Sequence, residues 1–494
     1  MIDASVAAAP LRDHVHVAIA GSGFAGLGMA IRLQEAGIDD FVVLERAHDV
    51  GGVWRDNTYP GCACDVQSHL YSFSFAPNPA WSHSYSRQPE IQAYLQGCAK
   101  RYGLLPHIRF GHEVREAAWD DDERRWRIET SRGVVTADVF VAATGALSEP
   151  AMPQLEGLER FAGKVMHSAR WERGHDLTGE RVAVVGTGAS AVQIVPAIQP
   201  EVQELIVFQR TASWVLPRGD RALSGLERRL FATVPALQHL ARASVFGLRE
   251  LLVLGFMHPR LMALNERLAR RHLERSVPDP ALRAKLTPAY TIGCKRILLS
   301  DDYLATFTKE NVTLVTQGIR EVRERSIVSD DGAEHDVDTL VLATGFRVTD
   351  PPIAGCVRGR DGRTLADVWQ GSPRAHLGTT VAGFPSFFLL QGPNTGLGHT
   401  SVILMIESQI EHVLEALRYA RARGLVALEP RAEAQEAFVA EVDARMRGTV
   451  WTSGGCASWY LDRTGRNSTL WPGSTRAFHR RVARFNPKEY VAHG

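Results

Sequence analysis

Two parts of the chain repeat one pattern of hydrophobic and polar positions. Each begins with a short apolar run, at residues 15–20 and 182–185, and continues through a glycine-rich turn into a segment with apolar residues at helical spacing. Each then reaches a second apolar run, "FVVLE" in the first part and "ELIVF" in the second. Short apolar runs indicate buried parallel strands, and a period near 3.6 indicates helices. The pattern therefore predicts two β–α–β units.

The turns between strand and helix carry closely spaced glycines. The first turn reads GSGFAG from Gly21 to Gly26, and the second reads GTGASA from Gly186 to Ala191. Such glycines let the backbone approach a pyrophosphate at the N-terminus of the following helix. Because strand, glycines, helix and second strand follow one another in this order, both units are predicted to bind dinucleotides.

The second strands of the two units end differently. The first ends in Glu45, 24 positions after Gly21, where a carboxylate accepts hydrogen bonds from free ribose hydroxyls. The second continues into Arg210 and Thr211, and an arginine there accommodates a 2′-phosphate. The first unit is therefore predicted to hold FAD and the second NADPH, with a surface ion pair as the alternative for Arg210. The expected cofactor contacts are Gly21, Gly23, Gly26, Glu45, Gly186, Gly188, Ser190, Gln193, Arg210 and Thr211.

The remaining periodicity places these units in a larger α/β fold. Two apolar runs that end in Ala-Thr-Gly, at 138–145 and 339–345, are predicted as strands where the chain leaves each unit. Residues 108–137 read as a β-meander and residues 213–293 as helices. The predicted fold is two Rossmann-like dinucleotide-binding domains, for FAD and NADP, with a helical insertion. The predicted domains are 1–150 (FAD, first part), 151–212 (NADP, first part), 213–293 (helical insertion), 294–372 (NADP, second part) and 373–494 (FAD, second part, with C-terminal helices near 402–423 and 431–447).

Composition and charge exclude several classes of protein. The 494 residues include 56 basic and 55 acidic ones, so net charge gives no general reason to bind nucleic acid or an anionic surface. The N-terminus lacks the features of a signal peptide. Arg242, Arg249, Glu250 and His258 interrupt the apolar helices, so no integral membrane segment is expected, and docking on a membrane surface stays open.

The cysteines are few and scattered. Cys62 and Cys64 have the wrong spacing for a redox CxxC pair or a zinc site, and no metal is expected. The other spacings suggest no disulfide framework. We interpret all six as reduced thiols of a cytoplasmic enzyme: Cys62, Cys64, Cys98, Cys294, Cys356 and Cys456.

Two further motifs connect the chain with a known family. The stretch "FAGKVMHSARW" matches FxGxxxHxxxW, the fingerprint of type I Baeyer–Villiger monooxygenases, through Phe161, Gly163, His167 and Trp171. The stretch "GGVWRDNTYPGCACD" fits a second family motif that ends in Asp65. The chain resembles this family over about residues 14 to 400. It departs from the usual pattern where Glu172, rather than Pro or Asp, follows the fingerprint.

The resemblance implies a reaction in two halves. NADPH reduces FAD, and the reduced flavin then reacts with O2 to form a C4a-peroxyflavin. This species attacks a ketone carbonyl and yields an ester or lactone, with oxidation of sulfides as an expected side activity. In such enzymes the fingerprint couples the two domains, so His167 is expected to be a structural, hinge-like residue rather than a general base.

The resemblance also assigns residues to this reaction. Arg296 and Asp65 would be the catalytic pair, with the arginine beside the flavin and the carboxylate orienting it. Physical chemistry agrees, because arginine stays protonated and does not quench a peroxide by donating a proton. Surface pairing of Arg296 with Asp301 or Asp302 is the alternative. Further expected cofactor contacts are Trp54, Lys295, Gly392, Asn394 and Trp459.

Three other functions share parts of this pattern. A flavin-containing N- or S-monooxygenase uses the same cofactors and makes an N-oxide or a sulfoxide. An NADPH–flavin electron-transfer protein would pass electrons to a protein partner, and a flavin-bound interaction protein would not turn over. A disulfide reductase is excluded, because no suitable cysteine pair is present for the flavin. The identity of the ketone and the oligomeric state stay open.

Overall fold

The computed structural model describes residues 11–493, so the first and last predicted domains extend beyond it by residues 1–10 and by Gly494. The described chain forms two large β-sheets and three smaller ones. Its strands are β1 (His14–Ala20), β2 (Phe41–Glu45), β3 (Ile108–Phe110), β4 (Val114–Asp120), β5 (Arg125–Thr130), β6 (Gly133–Ala142), β7 (Lys164–His167), β8 (Arg181–Val185), β9 (Glu204–Phe208), β10 (Val215–Leu216), β11 (Leu298–Leu299), β12 (Val312–Val315), β13 (Ile319–Val322), β14 (Ser326–Ser329), β15 (Glu334–Asp336), β16 (Thr339–Leu342), β17 (Val357–Arg358), β18 (Phe387–Leu389), β19 (Ala427–Pro430) and β20 (Tyr490–His493).

Helices connect and cover these sheets. They are α1 (Phe24–Glu35), α2 (Val53–Asp56), α3 (Gln88–Arg101), α4 (Ala191–Ile198), α5 (Gly225–Thr233), α6 (Pro235–Leu251), α7 (Val253–Met257), α8 (Ala263–Ser276), α9 (Pro280–Lys285), α10 (Tyr303–Thr306), α11 (Ile353–Cys356), α12 (Leu365–Trp369), α13 (Val402–Arg423), α14 (Ala432–Met446), α15 (Val450–Ser453) and α16 (Thr475–Val482). Short 3-10 turns lie at Leu105–His107, Leu158–Arg160, Ser168–Arg170, Pro259–Met262 and Pro487–Glu489.

The first large sheet carries the predicted FAD unit. Its strand order is β17-β4-β5-β6-β1-β2-β3, and β18 also pairs with β6. β1 lies between β2 and β6 and is parallel to both, and every residue of β2 is buried, as its apolar run predicts. β4, β5 and β6 form the predicted antiparallel meander. β3, predicted as part of that meander, pairs parallel with β2 instead.

The second large sheet carries the predicted NADP unit. Its order is β12-β9-β8-β16-β7, and all its strands are parallel. β8, α4 and β9 form the second predicted β–α–β unit, and β16 is the predicted strand that ends in Ala-Thr-Gly. In both sheets the glycine turn follows the carboxyl end of a buried parallel strand, where dinucleotides bind in such folds. The predicted fold class is confirmed.

The chain returns to the first unit earlier than predicted. Ile353, Val357, Leu365 and Trp369 lie in the apolar core beside the first sheet, and β17 pairs with β4. The prediction assigned residues 294–372 as a whole to the NADP unit. The elements concerned are one strand of two residues and helices of four and five residues. Runs this short carry too little periodicity to reveal which sheet they join.

The insertion predicted from helical spacing consists of α5 to α9. Ser224 and Glu227 form a capping box at the start of α5, which explains where that helix begins. The inner side of α6 faces the first unit, because Gln238 and Arg242 donate to backbone carbonyls within residues 69–78. Within the described range, no helix combines the length and apolar character needed to span a membrane.

The interpretation of six reduced cysteines is wrong for two of them. Cys294 and Cys456 form a disulfide although they are 162 positions apart. The bridge joins the segment before β11 to the loop after α15. Whether two distant cysteines meet depends on the folded chain, so their spacing along the sequence does not reveal the pair. The remaining thiols are free, at Cys62, Cys64, Cys98 and Cys356.

Candidate active site

A bidentate ion pair joins Asp65 of the first unit to Arg296. The guanidinium donates through Nε to Oδ2 at 2.7 Å and through Nη2 to Oδ1 at 2.8 Å. The side chain of Arg296 is 30% exposed and that of Asp65 is 26% exposed, so a ligand can reach the pair. Asp301, one of the alternative partners, instead accepts from the backbone N–H groups of residues 218–219. The structure therefore brings the two predicted catalytic residues together.

The two partners fix each other's charge. Burial opposes ionisation of Asp65, but the charge and hydrogen bonds of Arg296, with a contribution from Arg249, lower the pKa of the carboxyl below its ordinary value. The charge of Asp65 in turn raises the pKa of Arg296 above that of a free guanidinium. At neutral pH the pair therefore consists of a carboxylate and a guanidinium ion, and neither exchanges protons readily.

Two further arginines converge on the loop that carries Asp65, and sequence analysis did not select them for the site. Arg249 of α6 donates to the backbone carbonyl of Asp65 and to the hydroxyl of Tyr85, both at 3.3 Å. Arg218 donates to the carbonyl of Cys64 at 2.9 Å. Arg249 stood out only as a charge within an apolar helix. That interruption was the available signal, because a charge on the inner face of such a helix needs a partner.

The C-terminal segment "SWYLD", residues 458–462, lies beside the Asp65–Arg296 pair. Tyr460 is buried, and burial raises the pKa of its phenol to about 12, although the charge of Arg296 acts in the opposite direction. The ring of Trp459, a predicted cofactor contact, lies 4.3 Å from the ring of Tyr460 and is 44% exposed. The disulfide at Cys456 attaches this segment two residues before Arg296. Tyr460 was missed although it stands beside a residue singled out from the sequence.

The glycines of the first turn make room in different ways. Gly21 has a φ of 102°, and a side chain there would lie 2.6 Å from the carbonyl oxygen of Ala143. A side chain at Gly26 would lie 1.9 Å from the carbonyl oxygen of Gly21. At Gly23 the nearest atom would be the Cα of Gly52, at 3.7 Å. The outer glycines therefore serve backbone packing, and the space at Gly23 fits a pyrophosphate.

Glu45 lies at the end of β2, as the ribose-binding acid should, and is buried. The N–H and hydroxyl of Ser22 donate to its carboxylate at 3.0 and 2.6 Å. The N–H of Ala47 donates at 2.9 Å, and a guanidinium nitrogen of Arg55 lies 3.0 Å away. Two of these four donors are side chains, the Ser22 hydroxyl and the Arg55 guanidinium. Arg55 is thus a further residue of this site that the sequence motif did not single out.

The second turn is more open than the first. Gly186 has a φ of 118°, and a side chain there would lie 2.5 Å from the carbonyl oxygen of Ala343, the counterpart of Ala143. A side chain at Gly188 would meet no atom within 4 Å. Ala191 takes the third position and is buried. Gly186 therefore serves backbone packing, as Gly21 does in the first turn. The space beside Gly188 is open to a ligand.

Two cations gather where β9 ends. Arg210 is exposed, and Lys295 is half-buried with its ammonium 5.2 Å from the centre of the Tyr290 ring. Burial and the charge of Arg210 lower the pKa of Lys295. Neither cation has a carboxylate at ion-pair distance within residues 11–493, so the alternative of a surface ion pair for Arg210 is absent there. Two unpaired like charges at this position fit an anion such as a 2′-phosphate.

Gln193, a predicted cofactor contact, joins the two units. Its amide oxygen lies 3.2 Å from the Tyr59 hydroxyl and from the backbone nitrogen of Ala63, both of which donate to it. Its amide nitrogen donates to the Ala63 carbonyl at 2.9 Å. Ser190 precedes α4 but does not cap it with its side chain. Gln193 is therefore committed to residues of the first unit, just before Asp65 along the chain.

The fingerprint begins as part of the second sheet. Phe161 lies in the apolar core beside that sheet. A side chain at Gly163 would lie 2.3 Å from the carbonyl oxygen of Asp338, so a glycine is needed for the close approach. Lys164–His167 then forms β7, the edge strand paired with β16. The first half of the motif is therefore a strand of the NADP unit rather than a free linker.

The second half of the fingerprint lies where the two units face each other. His167 is buried, its Nδ1 accepts from the N–H of Ala169 at 3.1 Å, and burial lowers its pKa. Trp171 lines a cleft of about 510 Å³ together with Arg55 and Phe346. An uncharged, buried imidazole fits the expected structural role of His167. The tryptophan extends the motif to the boundary between the units.

Trp54 and Asn394, two predicted cofactor contacts, are engaged within the protein. Trp54 Nε1 donates to the Tyr71 hydroxyl at 3.0 Å, and the two rings meet edge to face at 5.5 Å. Asn394 donates to two backbone carbonyls within residues 467–470 and accepts from Arg466 at 2.8 Å. Both N–H donors of Asn394 are thus used to fasten the C-terminal segment, a role that its position in a glycine-rich turn did not indicate.

Comparisons with known proteins agree with this arrangement. A model of the flavin-binding monooxygenase-like family matches residues 14–359. A protein of Streptomyces coelicolor named Baeyer-Villiger monooxygenase is 55% identical over 482 residues, which are 97% of this chain and 93% of that protein. A protein of the same name from Pseudomonas aeruginosa is 50% identical over 480 residues, which are 97% and 91%. The structure of cyclohexanone monooxygenase from Rhodococcus sp. Phi1 bound to NADP+ has a TM-score of 0.88 at 28% identity, covering 98% of this chain and 100% of that one.

The range matched by the family model contains both glycine turns, the fingerprint and the Asp65–Arg296 pair. The predictions of the fold class, of a resemblance to Baeyer–Villiger monooxygenases, and of a monooxygenase with FAD and NADP as cofactors are confirmed. With half or more of its residues identical to two relatives over nearly its whole length, the chain belongs to the flavin-binding monooxygenase-like family.

Proposed function

We propose that this protein inserts one oxygen atom from O2 beside the carbonyl of a small-molecule ketone, giving an ester or lactone at the expense of NADPH. The observation that carries the proposal is the bidentate Asp65–Arg296 pair, a permanent positive charge in an accessible position. The names of the two bacterial relatives support the same reaction. Oxidation of sulfides is proposed as a side activity, and binding of nucleic acid is not expected.

The residues present fit the two cofactors. The cradle of the first turn would hold FAD through Gly21, Gly23, Gly26 and Glu45. The open second turn and the cation pair would hold NADPH through Gly186, Gly188, Ser190, Arg210, Thr211 and Lys295. When bound, these groups supply the hydride and the activation of oxygen. The protein's own contribution is to hold them and to stabilise negative charge.

Arg296 is suited to stabilise the negative charge that attack on a carbonyl creates. A pair of unit charges ~4 Å apart is worth about 4 kcal/mol at an effective dielectric of ~20, or about three powers of ten in rate. Asp65 orients the guanidinium through two hydrogen bonds. A lysine or histidine here could donate a proton and so remove the charge from the oxygen that attacks, whereas arginine keeps its proton.

A substrate panel tests the reaction class. Cyclic, aliphatic and aryl ketones and one thioether are incubated with the holoenzyme, NADPH and O2, and the products are identified by mass spectrometry. We expect esters or lactones from at least one ketone class, with NADPH consumption coupled to product. Sulfoxide or N-oxide products alone would assign the protein to the heteroatom oxygenases. NADPH consumption that yields only hydrogen peroxide would favour an electron-transfer protein.

Replacement of Arg296 tests the residue on which the proposal depends. In Arg296→Ala we expect FAD content and reduction of the flavin by NADPH to stay within about threefold of wild type, and ester formation to fall about a thousandfold. The matched control is Arg267→Ala, which removes an exposed arginine of the insertion. Ester formation retained in Arg296→Ala would contradict the role of the pair.

A cytoplasmic location is proposed as well. The disulfide between Cys294 and Cys456 argues against it, because reducing compartments keep most protein thiols reduced. Acid quenching of intact cells followed by alkylation and mass spectrometry measures the state of the pair in place. Free thiols at both positions would fit the cytoplasm, whereas a fully oxidised pair would favour an oxidising compartment.

A further inference from the structure

We propose that the outer face of the helical insertion docks on the surface of an anionic lipid bilayer. Large apolar side chains that remain exposed are concentrated there: twelve of the seventeen in the described chain lie within residues 226–268. An accumulation of this kind marks an interaction surface rather than ordinary scatter. The twelve are Leu226, Leu230, Val234, Leu237, Leu240, Leu248, Leu251, Leu252, Leu254, Leu261, Leu264 and Leu268.

The exposed leucines of α6 form one stripe. Leu237, Leu240, Leu248 and Leu251 fall within an arc of about 80° at 100° per residue. The last three are 64%, 68% and 63% exposed. Arg249, which contacts the Asp65 loop, lies on the opposite side of the same helix. The inner face of α6 is therefore satisfied by the protein, and its outer face presents leucines to the surroundings.

The charge of the insertion selects the kind of surface. Residues 225–276 contain nine arginines and four glutamates, a net charge of +5 in a chain whose net charge is +1. Three of the glutamates are engaged: Glu227 with Arg221, Glu250 with His399 and Glu266 with Arg270. Within residues 225–276, the exposed arginines that form no ion pair with a described residue are Arg228, Arg229, Arg260, Arg267, Arg271 and Arg275.

Arginines and leucines share one side of α8. Leu264, Arg267, Leu268 and Arg271 are all exposed and fall within an arc of about 100°. An interfacial helix needs this combination, because leucines enter the acyl boundary while arginines extend to anionic headgroups. A second copy of this chain fits less well, because a two-fold interface would set the exposed arginines of two copies against each other. A neutral apolar partner would leave the arginines unused.

Docking in this orientation would have a consequence for the site. The leucine stripe of α6 and the Arg249 contact with Asp65 are separated by the thickness of one helix, about 10 Å. The Asp65–Arg296 pair would then lie close to the lipid surface, where apolar small molecules concentrate. The exposed leucines and arginines of the insertion support docking whatever reaction the enzyme catalyses.

Co-sedimentation of the FAD-loaded enzyme with vesicles tests the proposal. We expect binding to phosphatidylcholine vesicles that contain about one third phosphatidylglycerol, and at least tenfold weaker binding to pure phosphatidylcholine. Salt at about 0.5 M should weaken binding to the anionic vesicles, because it screens the arginines. No binding to the anionic vesicles, or equal binding to both kinds, would overturn the proposal.

Matched variants assign the binding to this face. Leu240→Gln/Leu248→Gln should lower the vesicle partition coefficient at least tenfold, and Arg267→Gln/Arg271→Gln should remove the preference for anionic lipid. The control is Val134→Gln/Val426→Gln, two exposed apolar residues outside the insertion, which should bind like wild type. Flavin content and melting temperature verify folding. An equal loss of vesicle binding in the control would overturn the assignment. Light scattering gives a second test: if the wild type does not bind vesicles but is a dimer that becomes monomeric in the leucine variant, the face is a contact between copies of the chain and the assignment is overturned.

Discussion

The two dinucleotide units contain the same kind of glycine turn, but the surroundings of the two turns differ. In the first unit the nearest atom to a side chain at Gly23 would be the Cα of Gly52, 3.7 Å away, and Glu45 is buried among four donors. In the second unit Gly188 has nothing within 4 Å, and Arg210 is exposed. A ligand in a packed cradle must break many contacts to leave, whereas an exposed charged site exchanges readily. The difference suits a cofactor that stays bound and a second one that enters and leaves in each cycle.

The two residues proposed as the catalytic pair also come from different parts of the chain. Asp65 lies in a loop of the first unit, and Arg296 lies in the segment that leads to the second. Gln193 joins the second unit to residues just before Asp65. The charge pair therefore exists only in the assembled molecule, and the contacts between the units bear directly on it.

Apart from the loss of ester formation expected in Arg296→Ala, the largest effect should come from filling the cradle of the first turn. In Gly26→Ala the new side chain would collide with the Gly21 carbonyl, at a cost of ~1–3 kcal/mol in stability, and we expect FAD binding at least tenfold weaker. The position in the second turn that corresponds to Gly26 is already alanine, Ala191. The comparison variant is therefore Gly188→Ala, at the open second position of that turn, which should keep normal FAD content and melting temperature. The flavin absorbance per protein and thermal melts measure both. Equal FAD loss in the two variants would mean that the turns do not differ as described.

The disulfide should have the next largest effect. Cys294→Ser/Cys456→Ser is expected to lower the free energy of unfolding by about 2–4 kcal/mol, because the bridge ties the Arg296 segment to the C-terminal loop. Denaturant titration measures this change, with Cys356→Ser as the control for a free thiol. Alkylation of the denatured, unreduced wild type should label four cysteines. Labelling of all six would show that the pair is not formed.

The cation pair of the second unit should decide between the two nicotinamide cofactors. In Arg210→Ala the KM for NADPH should rise about 10- to 100-fold, because a charge-assisted hydrogen bond is worth about 1.5–3 kcal/mol, and the KM for NADH should change little. Lys295→Ala should act in the same direction, and Arg229→Ala is the control for an exposed arginine elsewhere. A parallel rise in both KM values would argue against a 2′-phosphate site.

The smallest effect is expected where the two units touch. Gln193→Ala removes three hydrogen bonds to residues 59–63, each worth about 0.5–1.5 kcal/mol, and should slow flavin reduction about two- to fivefold at normal FAD content. Gln199→Ala is the matched control, since Gln199 donates to Asn311 within the second unit. Stopped-flow reduction by NADPH measures the rate. The same slowing in both variants would remove the specific role of the interdomain contact.

Local sequence patterns predicted much of the fold because strand and helix periods act over a few residues. The two β–α–β units, the meander β4–β6 and the helices near 402–423 and 431–447 follow from such patterns, and the structure contains all of them. The positions of very short elements could not be predicted from such patterns. The two residues of β17 carry no period, so their place beside β4 depends on packing with the rest of the sheet.

The candidate site divides in the same way. Glycine turns, the Glu45 and Arg210 strand ends and the fingerprint are short-range signals, and a resemblance based on such motifs named Asp65 and Arg296. The contact between these two, 231 positions apart, and the roles of Tyr460 and Gln193 became visible only in the folded chain. The disulfide and the exposed leucines belong to this second group. The packing of the whole chain determines which distant segments come into contact and which face of a helix remains exposed.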